Sequence, residues 1–98
     1  MKHITLAELE QWRAEKRDFQ LIDVRTEEEH LSKNIGGILI ELEDIIVEKN
    51  QIETDKPVII YCKRGIRSQI AIQKLERKFD YQNLYNLQNG IQPLLNSF

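Results

Sequence analysis

Cys62 is followed by Lys63, Arg64, Gly65, Ile66, Arg67 and Ser68, which sets a thiol, a glycine and three cations within seven consecutive residues. A cysteine attacks a substrate as its thiolate, and neighbouring cations together with the N–H groups of a helix N-terminus favour that form. Gly65 is free to take a positive φ, so the loop can turn its backbone N–H groups inward as an anion cradle around the sulfur. Such a cradle would hold a persulfide or an anionic substrate as readily as the thiolate. A free cysteine by itself is more often a small buried apolar residue. The charge cluster tips the reading toward a nucleophile, because a purely structural cysteine gains nothing from it. Of the three cations, Arg64 is also well suited to a solvated surface turn.

The elements that would position this loop are short. Leu21 to Val24 and Val58 to Tyr61 are apolar, rich in β-branched residues and followed at once by polar or charged ones, as buried strands are. Pro57 stands at the front of the second, where a missing backbone donor is tolerated. Asp23 with Arg25, and Cys62, therefore fall at or just past the ends of the two strongest strands. In open α/β sheets ligands bind beyond the carboxyl ends of the strands. Downstream, Ile66, Ile70, Ala71, Leu75 and Phe79 recur at helical spacing and predict one apolar face of a long helix opening right after the loop.

Thr5 with Glu8 and Thr26 with Glu29 are capping-box pairs that open helices, the first carrying Leu6, Leu9 and Trp12. Glu27, Glu28 and Glu29 suit the positive end of a helix dipole and otherwise read as a solvated helix start. Ile38 to Ile40 predicts a short strand, Leu42, Ile45 and Ile46 a helix, and Leu84 to Leu87 a last strand. From Gly90 onward a terminal helix or turn is expected, with Pro93 in its first turn. Strand and helix thus alternate, the pattern of a mainly parallel sheet covered by helices on both faces.

With 98 residues, residues 1–98 are expected to form a single domain. Basic and acidic side chains number 14 and 16 and are interspersed, so no global field points to nucleic acid or to a membrane surface. The N-terminal residues lack a secretory signal pattern, no apolar run is long enough to span a bilayer, and one cysteine cannot form an internal disulfide. Cytoplasmic location is expected. His3 and His30 have no partners at metal-ligand spacing, so neither a metal nor another cofactor is expected. His30 is expected on an exposed helix face, and Trp12 in a core or half-buried position.

The loop Cys62-Lys63-Arg64-Gly65-Ile66-Arg67-Ser68 resembles the active-site loop of the rhodanese family: cysteine, two residues, glycine, one residue, arginine, then usually serine. Leu21-Ile22-Asp23-Val24-Arg25 with Glu28 and Glu29 resembles that family's first signature. Asn34-Ile35-Gly36-Gly37 lies where its His-Ile-Pro-Gly segment falls, and Asn83 to Gly90 resembles the strand leading into its Gly-Gly pair. Four positions depart from the pattern: Asn34 stands for the usual histidine, Gly36 for proline, Asn89 for the first glycine and Leu94 for tryptophan.

The resemblance implies an α/β, rhodanese-like fold with a small, mainly parallel five-stranded sheet flanked by helices on both faces. It implies a transferase of the thiosulfate sulfurtransferase type, moving a sulfane sulfur from thiosulfate or a persulfide to cyanide or a thiol through a Cys62 persulfide. Cys62 and Arg67 would be catalytic, Lys63, Arg64, Gly65, Ile66 and Ser68 would bind the substrate or persulfide, Asp23 would brace, and Arg25 would be a pocket-side cation. An ordinary surface ion pair is the alternative for Arg25. Partners would be a small-molecule sulfur donor and a thiol acceptor, with a sulfur-relay protein as a further candidate. A binding module that turns nothing over is the alternative from another class. Cysteine phosphatases and arsenate reductases carry a loop one residue longer, whereas four residues, Lys63 to Ile66, separate cysteine from arginine here. That disfavours phosphate chemistry.

Overall fold

Short apolar runs alternating with capped helical segments build a parallel sheet with helices on both faces. In the computed structural model, which describes residues 1–95, the strands are β1 (Lys2–Ile4), β2 (Gln20–Asp23), β3 (Ile38–Leu39), β4 (Val58–Tyr61) and β5 (Leu84–Leu87). The sheet has five strands in the order β1-β5-β4-β2-β3, and every pairing is parallel. This is the expected fold class.

β4 lies between β5 and β2 and is buried along its whole length, so its side chains supply both faces of the core. Val58, Ile60 and Cys62 face one cluster, against Ala71, Ile72 and Leu75 of α3 (Ile66–Lys78). Ile59 and Tyr61 face the other, with Leu9 of α1 (Leu6–Ala14) and with Ile91, just before α4 (Gln92–Leu95). Each fully buried Ile or Leu here contributes about 1.5–3 kcal/mol. Trp12 is half-buried, edge-on to Tyr85 with Arg17 over its ring.

Register brings the site elements together. Asp23 pairs with Tyr61 in the ladder and the Val24 N–H donates to the Tyr61 carbonyl at 3.1 Å, so the chain leaves β2 and β4 side by side. From β2 it enters α2 (Glu27–Ser32), and from β4 it enters the Cys62 loop and α3. Both predicted capping boxes form, Thr5 with Glu8 and Thr26 with Glu29.

Two sequence expectations are corrected, and one strand carried no expectation. The segment of Leu42, Ile45 and Ile46 is not an α-helix: it forms two 3₁₀ turns, Leu42–Asp44 and Lys49–Gln51, joined by further turns. Its apolar side chains serve as a lid on the α3 face of the core, with Ile45 buried but Val47 79% exposed, too narrow a contact to hold a regular helix. The buried face of α3 is Ser68, Ala71, Ile72 and Leu75, while Ile66 and Ile70 lie outward, 61% and 40% exposed. Finally, β1 comes from Lys2-His3-Ile4, whose only buried residue is Ile4, so no local apolar run marks it. No helix among the described residues is long and apolar enough to cross a membrane.

Candidate active site

The turn between β4 and α3 is built around the sulfur of Cys62. Gly65 is the N-cap of α3 at φ +85° and has no side chain with which to cap it. The thiol takes that place. Cys62 Sγ accepts the Gly65 N–H at 3.1 Å and the Ser68 N–H at 3.4 Å, the second being a helix donor that an N-cap oxygen ordinarily satisfies. A Cβ at Gly65 would also lie 3.0 Å from the Asn89 nitrogen, a tight contact added to the strain at its positive φ.

The loop is braced from behind by the turn after β5. The Ile91 N–H donates to the Cys62 carbonyl at 3.1 Å and the Gln92 N–H to the Lys63 carbonyl at 3.0 Å. Gly90, at φ +64°, permits this approach: a Cβ there would sit 2.3 Å from the Lys63 oxygen. Cys62 is 1% exposed, yet it forms the floor of a recess with Glu29, Lys63, Arg64, Ile66 and Arg67. Burial and access are thus combined at one atom.

Arg67 does not reach into this recess as a free cation. Its guanidinium donates to both carboxylate oxygens of Glu29, at 2.7 and 3.0 Å, in a bidentate pair joining α3 to α2. The pair holds the Glu29 carboxyl down at about 2 and raises the Arg67 guanidinium above its ordinary value. In the sequence Glu29 stands out as a capping partner of Thr26, in an acidic helix start and in the family's first signature, but not as a partner of Arg67. Nothing local in its spacing marks a contact 38 residues away.

Behind the sulfur Ser68 leads to two polar residues, Asn86 and His3, that the sequence did not assign to the site. Ser68 Oγ is 3.4 Å from Cys62 Sγ and donates to Asn86 Oδ1, and Asn86 Nδ2 lies 3.2 Å from His3 Nδ1. Ser68 and Asn86 are both buried. Beside the loop, fully buried Asp23 accepts three hydrogen bonds from the Arg25 side chain, one from its backbone N–H, and contacts His30 Nδ1 at 2.9 Å.

Arg25 is therefore no surface ion pair: its side chain is 2% exposed, its Nη2 also donates to the Lys33 carbonyl at 2.6 Å, and its guanidinium lies over Tyr61. Burial alone would lower the Arg25 pKa, but the Asp23 carboxylate more than offsets it. Although Arg25 borders a groove shared with Glu29 and Lys63, its donors are turned inward. His30 is likewise corrected, from an exposed position to a side chain 18% exposed and bonded to Asp23.

The sequence matches the Rhodanese-like domain family over residues 5–96. This chain belongs to the rhodanese family. It is 44% identical over 89 residues to the uncharacterized protein YqhL of Bacillus subtilis, covering 90% of this chain and 69% of that protein. It is 30% identical over 97 residues to the thiosulfate sulfurtransferase GlpE of Coxiella burnetii, covering 94% and 87% respectively. A crystal structure of a rhodanese-like domain protein from Staphylococcus aureus superposes with a TM-score of 0.83 at 30% identity, covering 93% of this chain and 88% of that one.

Departures from the rhodanese pattern have local physical explanations. The Gly36 N–H donates to Asn34 Oδ1 at 2.8 Å, and Asn34 Nδ2 donates to the His30 carbonyl at 2.9 Å. A proline at 36 would lack that N–H and could not take the φ of +104° found there, so Asn34 and Gly36 act as one turn. Asn89 adopts φ +66°, a left-handed conformation that asparagine tolerates better than other side chains. Leu94 lies in the short α4, and nothing in the structure explains its replacement of tryptophan.

Proposed function

We propose that this rhodanese-family chain is a single-domain sulfurtransferase that carries sulfane sulfur on Cys62. The observation that supports this most directly is the sulfur atom itself, held by the Gly65 and Ser68 N–H groups at the floor of a recess rimmed by Lys63 and Arg64. Those donors are preorganised for negative charge on sulfur, whichever sulfur of a persulfide bears it. The name of the Coxiella relative, thiosulfate sulfurtransferase, points to the same chemistry.

The Cys62 thiolate attacks the outer sulfur of a donor such as thiosulfate. A new S–S bond forms, the bond between outer and central sulfur breaks, and its electron pair leaves with sulfite. Cys62 is left as the persulfide anion, and total charge is conserved. In the second half-reaction cyanide or a thiolate attacks the terminal sulfur, and the electron pair of the broken S–S bond returns to Cys62. Arg67, fixed by Glu29, holds the start of α3 so that the Ser68 N–H stays aimed at the sulfur. Asp23 and Arg25 hold the end of β2 beside the loop. We place the reaction in the cytoplasm, where a lone free cysteine is kept reduced.

Intact mass after incubation with thiosulfate tests this reading. The wild type should gain one sulfur atom that dithiothreitol removes, and Cys62→Ser should gain none. A wild type that stays at its unmodified mass with both thiosulfate and a low-molecular-weight persulfide would refute it.

A further inference from the structure

We propose that Glu29 sets the donor preference of the recess by charge, cancelling one of its three cations and so narrowing the advantage of a dianionic donor over a monoanionic one. This rests on the sulfurtransferase reading and adds to it the class of donor. The recess over Cys62 is lined by one carboxylate, Glu29, together with Lys63, Arg64 and Arg67. Among the described residues, neither Lys63 nor Arg64 takes part in an ion pair, while Arg67 is matched in full by the Glu29 carboxylate. The loop arginine is thereby withdrawn from any donor anion.

Glu29 is also held in place. Its Oε1 accepts the Thr26 N–H at 3.2 Å and the Thr26 hydroxyl at 3.1 Å in addition to Arg67. The carboxylate is therefore a fixed charge, and with its pKa held at about 2 it stays ionised across the neutral range. Cancelling one cation of the recess removes attraction for each unit of donor charge separately, so a dianion loses about twice as much as a monoanion. The side chain is only 30% exposed, which limits screening by salt.

Two donors isolate this effect. Thiosulfate is a dianion and the methanethiosulfonate anion a monoanion; each gives up its outer sulfur, releasing sulfite or methanesulfinate. Glutamine at position 29 removes the charge but can still close the capping box with Thr26, and aspartate keeps the charge on a shorter arm. Binding is measured by calorimetry in the Cys62→Ser background, where no sulfur is transferred, and KM and kcat are measured with Cys62 intact.

Glu29→Gln should tighten thiosulfate binding roughly three- to tenfold more than methanethiosulfonate binding. The same preference should appear in KM, with kcat for the two donors moving together. Glu29→Asp should keep the wild-type ratio of the two affinities even where it weakens both. Equal changes for the two anions in Glu29→Gln, weaker thiosulfate binding, or no detectable binding of either anion to any variant would overturn the proposal. A wild type that discriminates between the anions but never loads sulfur would instead remove the sulfurtransferase reading and leave the charge selection standing.

Discussion

At the scale of single residues, the site depends on one hydroxyl proton. Ser68 donates it to Asn86 Oδ1, so its contact with Cys62 Sγ at 3.4 Å is one in which the thiol proton points at Ser68. When Cys62 ionises, that donor disappears, and the Ser68 proton can turn toward sulfur only by giving up Asn86 Oδ1. Ser68→Ala should therefore do two separable things. It leaves buried Asn86 Oδ1 without its donor, lowering stability by about 1–3 kcal/mol in urea unfolding. It should also slow sulfur loading of Cys62 in rapid-quench mass measurements, while Asn86→Ala, which frees the Ser68 proton for the sulfur, should slow loading less than Ser68→Ala does. The cysteine, glycine and cations of the loop were visible in the sequence because they are contiguous. Asn86 was not, since an asparagine in a strand carries no local sign that it will sit behind a sulfur.

At the scale of elements, the helix that follows Cys62 has a sulfur where its cap should be, and the turn after β5 presses on the same loop. Gly65 and Gly90 play different parts there, one as the N-cap of α3 and one as the point where two backbones touch. Gly90→Ala must move the Lys63 carbonyl, because its Cβ would lie 2.3 Å from that oxygen. We expect a loss of at least about 1–3 kcal/mol and of sulfur loading together, read by thermal unfolding and mass. Asn89→Gly makes the contrast: at φ +66° glycine removes strain without adding atoms, and stability should change by no more than about 1 kcal/mol. Capped helices such as α1 and α2 could be read from the chain because Thr and Glu three residues apart act locally. The turns from Leu42 to Gln51 could not, since Leu42, Ile45 and Ile46 show helical spacing in a segment whose shape is set by the core beneath it. For α3 the spacing correctly located the helix but assigned Ile66 and Ile70 to the buried face: Ile66 lines the recess over Cys62, and the face packed on the sheet is that of Ser68, Ala71, Ile72 and Leu75.

At the scale of the whole molecule, parallel pairing of β2 with β4 puts the segments after Asp23 and Tyr61 next to one another, and two ionisable groups report on that junction from opposite ends of the pH scale. Glu29 ties α2 to α3 with its pKa depressed from 4.5 to about 2, first through Arg67. Its stabilising contribution is complete above about pH 4.5 and is lost as pH falls toward 2, because the unfolded chain takes up the proton first. Tyr61 shows the opposite sign. It is fully buried, its hydroxyl donates to the Gly36 carbonyl at 2.9 Å and accepts the Ile35 N–H at 3.3 Å, and burial pushes its pKa up from 10 to about 12. Below pH 10 both states keep the phenol proton and Tyr61 adds no pH dependence. Between 10 and 12 the unfolded chain loses it while the folded chain retains it, so stability falls with a slope that Tyr61 can steepen by up to about 1.4 kcal/mol per pH unit. Urea unfolding across pH 2 to 12 should therefore show Glu29→Gln flattening the acid arm and leaving the alkaline arm alone, and Tyr61→Phe doing the reverse. Tyr61→Phe should also cost about 0.5–1.5 kcal/mol at neutral pH through its lost hydrogen bonds. An alkaline arm unchanged in Tyr61→Phe would mean that the turn at Ile35 and Gly36, where this chain departs from its family, is not held by the buried phenol.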